Sequence, residues 1–145
     1  MQPIMIVVIV GLLGGVAVAF QVPLAGIITQ RLGMLESAFI VHLGGAVTAF
    51  IPLAFLAGGR LGEWRGVPAW AYLSGSLGII VISAVTYAIP RIGVAPALTL
   101  LVAGQVVVGA LLDHYGLLVE TVRPMDATRL AGVLLLFVAT WLIVR

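Results

Sequence analysis

The stretch Gly93–Gly116, GVAPALTLLVAGQVVVGALLDHYG, decides the fold. Pro96 suits the first turn of a helix, where its missing N–H costs nothing, and about 20 residues follow it, close to what crossing a hydrocarbon core of about 30 Å requires. Inside that span lie Gln105, Asp113 and His114. A polar side chain in lipid must find a partner within the protein or in a water-filled cavity, and an acid at the helix centre costs roughly 2.5–3.5 kcal/mol on insertion scales. These side chains are therefore expected to face protein or water, not acyl chains.

The rest of the chain has the same character. Of its 145 residues 63% are hydrophobic and 8% charged, against about 25% charged in soluble domains. The chain reads as an all-α integral membrane protein. It has no cysteine, which excludes disulfides, cysteine-ligated zinc, iron–sulfur clusters and thiol catalysis. The positive charge comes from scattered arginines with no basic run, so there is no footprint for nucleic acid. No metal-ligand spacing occurs, and neither a metal nor a cofactor is expected. Ala17-Val18-Ala19 resembles a signal cleavage site, but the first ten residues carry no Lys or Arg and the apolar run from Ile4 to Ile28 is longer than a signal h-region. That run is expected to stay as a membrane helix.

Working outward from the opening span, charged and Pro/Gly-rich joints cut the chain into apolar segments at about 4–29, 37–57, 69–89, 94–115 and 127–144. The joints are short, so a single transmembrane domain over 1–145, a five-helix bundle, is expected. In the first segment Gly11, Gly15 and Ala19 form a small-residue ridge suited to helix packing. Gln21 and Pro23 follow, and the proline predicts a kink near Ala19. The second segment carries His42, Gly44, Gly45, Thr48 and Pro52. Trp64, Trp70 and Tyr72 cluster around Pro68 as an aromatic belt at one membrane interface, and Ser83 lies further along the third segment. The fifth, apolar apart from Thr140, reads as a lipid-facing or dimer-facing helix.

Depth then groups the polar residues. With alternate crossings and a rise of about 1.5 Å per residue, Gln21 lies about 13 Å below the Gln30 end, His42 about 8 Å below Ser37, Ser83 about 9 Å from Ile89 and Gln105 about 16 Å from Val94. Four helices thus put a hydrogen-bonding side chain in one slab beside a kinked helix. That pattern predicts a polar cavity, with Gln21, His42, Ser83 and Gln105 as solute contacts. Asp113 and His114 fall near the opposite interface, where Asp113 can reach headgroup water or an arginine such as Arg123; with Trp70 they are expected at a gate or interface.

Arginine placement gives little orientation. Arg60, Arg65, Arg123 and Arg129 share one face by this count, and Arg31, Arg91 and Arg145 the other. So even a balance is a weak instruction under the positive-inside rule. It predicts insertion in both orientations and an inverted pair around a shared midplane site, the symmetry of many secondary transporters.

A set of motifs then stands out: Gln21 with Thr29-Gln30, His42-Leu43-Gly44-Gly45, Trp70 with Gly75 and Gly78, Ala103-Gly104-Gln105, Leu112-Asp113-His114-Tyr115-Gly116, and Arg129-Leu130-Ala131-Gly132. Together they resemble the YdcZ-type family, small five-helix members of the drug/metabolite transporter superfamily related to the small multidrug resistance exporters. The resemblance covers nearly the whole chain and implies an inner-membrane, multi-pass transporter assembled from two five-helix units in opposite orientations, either identical chains or paired ones. It names no substrate. Two departures matter: some members have Asn where this chain has His42, and residues 4–29 contain no acid, whereas the multidrug-resistance relatives use a glutamate in their first helix.

The expected function is alternating access for a small polar or weakly charged solute, in an antiparallel homodimer embedded in the bilayer. A non-transporting scaffold or assembly subunit is the alternative, since small-residue packing needs no transport path. An enzyme is not expected: the depth count puts His42 and His114 in opposite halves, and no nucleophile–base pair appears.

Overall fold

The computed structural model describes residues 2–57, 59–119 and 121–145, and among these every regular element is helical. Helix α1 spans Gln2–Leu32, α2 Met34–Pro52, α3 Ser74–Ile92, α4 Val94–Tyr115 and α5 Ala127–Val144. A π-helical turn, Leu53–Ala57, continues α2 past Pro52, and short 3-10 turns at Leu61–Gly66 and Ala69–Leu73 lead into α3. Among the described residues five stretches are long and apolar enough to cross a membrane: Ile4–Leu32, Met34–Phe55, Ala69–Ile92, Val94–Tyr115 and Ala127–Val144. Helices suit that solvent because they satisfy each backbone N–H and C=O within the segment.

The joints are tighter than the sequence suggests. Gly33 is the only residue between α1 and α2, and Gly93 the only residue between α3 and α4. Gly33 has φ 118° and ψ 165°, Gly93 φ 88° and ψ 170°, backbone regions that an L side chain rarely enters. At each link the backbone stays bonded: Gly33 N–H donates to Thr29 at 3.0 Å and Ser37 N–H to Gly33 at 3.1 Å, while Gly93 N–H donates to Ile89 at 2.9 Å. The two links share a local pattern, Arg31-Leu32-Gly33-Met34 and Arg91-Ile92-Gly93-Val94. Arg31, Gln30 and Glu36, which read as joint residues, are in helix for this reason.

The chain divides into two compact units, Met1–Tyr87 and Ala88–Arg145. In the first, α1 packs on α2 through small side chains: Ala25, Ser37 and Ala38 are buried with Val22. The Ser37 hydroxyl donates to the Ala25 carbonyl at 2.9 Å across that contact. In the second, α4 packs on α5, and Ala97, Ala103 and Thr140 are buried. Large apolar side chains such as Ile6, Leu13, Phe50 and Leu135 point outward. Lipid supplies no hydrophobic drive between helices, so small residues make the contacts and bulky ones meet acyl chains.

Helix α1 is continuous through Pro23. A Cβ added at Gly11 or Gly15 would meet nothing within 4 Å, so neither glycine is in close contact with another element of the first unit.

Candidate functional site

His42 lies one turn after Ala38 on α2, and its Nδ1 donates to the Ala38 carbonyl at 2.7 Å. A carbonyl only accepts, so Nδ1 carries a proton. The far edge of the ring, with Nε2, rests against Gly78 of α3, closely enough that a Cβ there would collide with it. The absence of a side chain at Gly78 is what lets α3 take the imidazole.

An open groove of about 380 Å³ runs beside this contact, lined by Leu35, Ala38, Phe39, His42, Tyr72, Gly75, Ser76 and Ile79. Its polar groups are the imidazole of His42, the hydroxyl of Ser76 and the phenol of Tyr72. None of the described residues that line it is charged. Tyr72 donates its hydroxyl to the carbonyl of Trp64, which ties the groove rim to the aromatic joint. Trp64 and Trp70 are exposed there, as interface anchors would be.

Of the residues expected to touch solute, the groove holds His42. Gln21 is exposed on α1 and Ser83 half-buried on α3; neither is among the residues lining this groove. Gln105 is exposed on α4 in the second unit. Tyr72 and Ser76 were not singled out as contacts, although their spacing with Ile79 puts all three on one helical face, a signal present in the sequence.

The DHYG segment builds a second arrangement, at the junction of α4 and α5. The Asp113 backbone carbonyl accepts from Arg123 N–H at 2.8 Å, and its carboxylate Oδ2 lies 3.6 Å from the guanidinium of Arg129. Arg129 also donates to the Arg123 carbonyl at 2.9 Å. The charged partner of Asp113 is thus Arg129; Arg123 meets Asp113 through its backbone. His114 Nδ1 accepts from Met125 N–H at 3.0 Å, so its lone pair is on Nδ1, the opposite of the arrangement at His42. Gly116 adopts the left-handed conformation at φ 66°, with Leu117 N–H returning to Leu112 at 2.9 Å to close the helix. Val122 packs so tightly on Gly116 that a Cβ would meet it at 2.7 Å. Asp126 then caps α5, its Oδ1 accepting from Arg129 N–H at 2.8 Å. Asp113, His114 and Gly116 therefore hold the connection to α5 through hydrogen bonds, an ion pair and a turn.

Residues 6–142 match the family profile described as "Putative inner membrane exporter, YdcZ". No curated protein and no solved structure matches the chain.

Proposed function

The chain belongs to the YdcZ family of inner membrane exporters, a multi-pass, transporter class, and on that premise we propose that it moves a small polar or weakly charged solute by alternating access between two copies in opposite orientations. The observation that carries this reading is the groove at His42, whose described lining residues bring an imidazole, the Ser76 hydroxyl and the phenol oxygen of Tyr72, already bonded to Trp64, and no fixed charge. Such a lining suits a neutral molecule or one with a delocalised charge, because no carboxylate is there to hold a compact cation. Gln21, Ser83 and Gln105 are assigned to the same path as further solute contacts. The near-even distribution of arginines supports the inverted pairing.

The test is flux of a panel of polar solutes through liposomes containing the purified protein. At least one solute should move. The variant His42→Asn should keep the folded protein and change the flux of that solute, and Gln21→Leu and Gln105→Leu should lower flux without lowering thermal stability. Absence of movement for every solute would favour a scaffold, and unchanged flux in all three variants would place the solute path elsewhere.

A further inference from the structure

Beside the Asp113–Arg129 pair, the second unit has an open groove of about 330 Å³ lined by Val106, Gly109, Ala110, Asp113, Arg129, Gly132 and Val133. We propose that this groove binds a membrane phospholipid with a zwitterionic ethanolamine headgroup, its ammonium on Asp113 and its phosphate on Arg129, with the start of an acyl chain lying toward Val106 and Val133.

The first support is the state of the two charges. At 3.6 Å they attract without a hydrogen bond between them, and both side chains remain about a third exposed, 34% for Arg129 and 37% for Asp113. Each still has hydrogen-bonding capacity to offer: the guanidinium carries five N–H donors, of which the Arg123 carbonyl takes one, and the carboxylate has lone pairs unused. A headgroup with a cation and an anion a few ångströms apart can lie antiparallel to this pair, each end meeting its opposite. A lipid with an anion alone would meet Arg129 but be repelled by Asp113.

The second support is the order of residues along the groove. Asp113 lies in the last turn of α4 and Arg129 in the first turn of α5, so both charges sit at span ends, where headgroups lie. From Asp113 to Val106 the helix descends about 10 Å at about 1.5 Å per residue, and the lining passes from charged, through Ala110 and Gly109, to Val106. On α5 it passes from Arg129 through Gly132 to Val133. That is the polarity gradient of an amphiphile held head outward. Glycine keeps the middle clear: a Cβ added at Gly109 or Gly132 would meet nothing within 4 Å.

Native mass spectrometry of the delipidated full-length protein tests the proposal, with phosphatidylethanolamine, phosphatidylcholine and phosphatidylglycerol added in turn. The ethanolamine lipid should be retained about tenfold better than the other two, because choline has no N–H to donate and glycerol no cation. Asp113→Asn and Arg129→Gln should lose that preference. Gly109→Leu leaves both charges in place and fills the floor, so it should lose lipid of every kind while helicity by circular dichroism stays unchanged. Soluble phosphoethanolamine should not be retained, since it leaves the apolar half empty. Equal retention of the three lipids, a preference surviving in Asp113→Asn or Arg129→Gln, full retention in Gly109→Leu, or phosphoethanolamine held as well as the lipid would each overturn it. None of these outcomes depends on transport, so the solute path at His42 stands or falls separately.

Discussion

The Ser37 hydroxyl occupies the carbonyl of Ala25 at 2.9 Å, and that carbonyl is the one Thr29, four residues later on the same helix, would otherwise use. Thr48, Thr86, Thr99 and Thr140 each donate to the carbonyl four residues before them, at 2.7–2.8 Å. Thr29 does not, and its hydroxyl is buried with no partner among the described residues. One acceptor therefore serves two hydroxyls, and the interhelical one holds it.

That competition makes the cost of losing Ser37 depend on Thr29. In the parent, Ser37→Ala should be nearly neutral, because Thr29 can turn to the vacated carbonyl. In a Thr29→Val background the same change should cost about 1 kcal/mol, in the range of measured interhelical hydrogen bonds in membranes. Thermal unfolding of the four proteins in detergent checks it; additive costs would show that the two hydroxyls do not share the acceptor.

Gly78→Ala should displace the His42 ring, since the new Cβ would take the place of the imidazole edge. Displacing the ring weakens its bond to Ala38, so a loss of up to about 1 kcal/mol is expected. Adding His42→Ala should restore most of it. A Gly78→Ala protein with parental melting and unchanged imidazole NMR signals would refute the contact.

Gly33→Ala should be costlier than Gly104→Ala. Gly33 is held at φ 118° with the Glu36 carboxylate folded against it, so a side chain there costs on the order of 1–3 kcal/mol in backbone strain. Gly104 is helical with open space where a Cβ would go, and alanine there should be neutral or stabilising by up to about 1 kcal/mol. Denaturation of both variants by the same method gives the ordering; equal losses would mean that the link relaxes into an ordinary turn.

In the joint between α2 and α3, the Arg60 guanidinium binds Glu63 and holds its carboxyl below the usual carboxylate range. A depressed folded value means that the pair contributes at neutral pH, and that the contribution fades as pH falls through the folded value. The pair is fully exposed, so salt should screen it. Melting of Glu63→Gln against the parent should differ slightly at pH 7 and low salt, and coincide at acid pH. A difference that grows on acidification would reverse the assignment.

Terminal reporters should detect both orientations in the inner membrane, given the even distribution of arginines. Moving one arginine to the other side should bias the population. A single orientation, indifferent to such a change, would remove the basis for an inverted pair.

The sequence by itself determined the membrane class and the five apolar segments, though not where each helix ends, because apolar length and the lack of charge are properties of a segment and need no partner to be read. It also marked His42, Asp113 and His114, since a polar group inside an apolar run is costly wherever the run packs. Only the tertiary structure decided which partner meets that cost. His42 turns back to its own helix and rests on Gly78, Asp113 takes Arg129 instead of Arg123, and His114 accepts from Met125. Each depends on where a second backbone comes to lie, and spacing along one helix does not encode that. The one-residue links at Gly33 and Gly93 were hidden for the same reason: polar residues beside a glycine suggest a loop, and it takes the positive φ of the folded chain to show that the helices run up to the glycine on both sides.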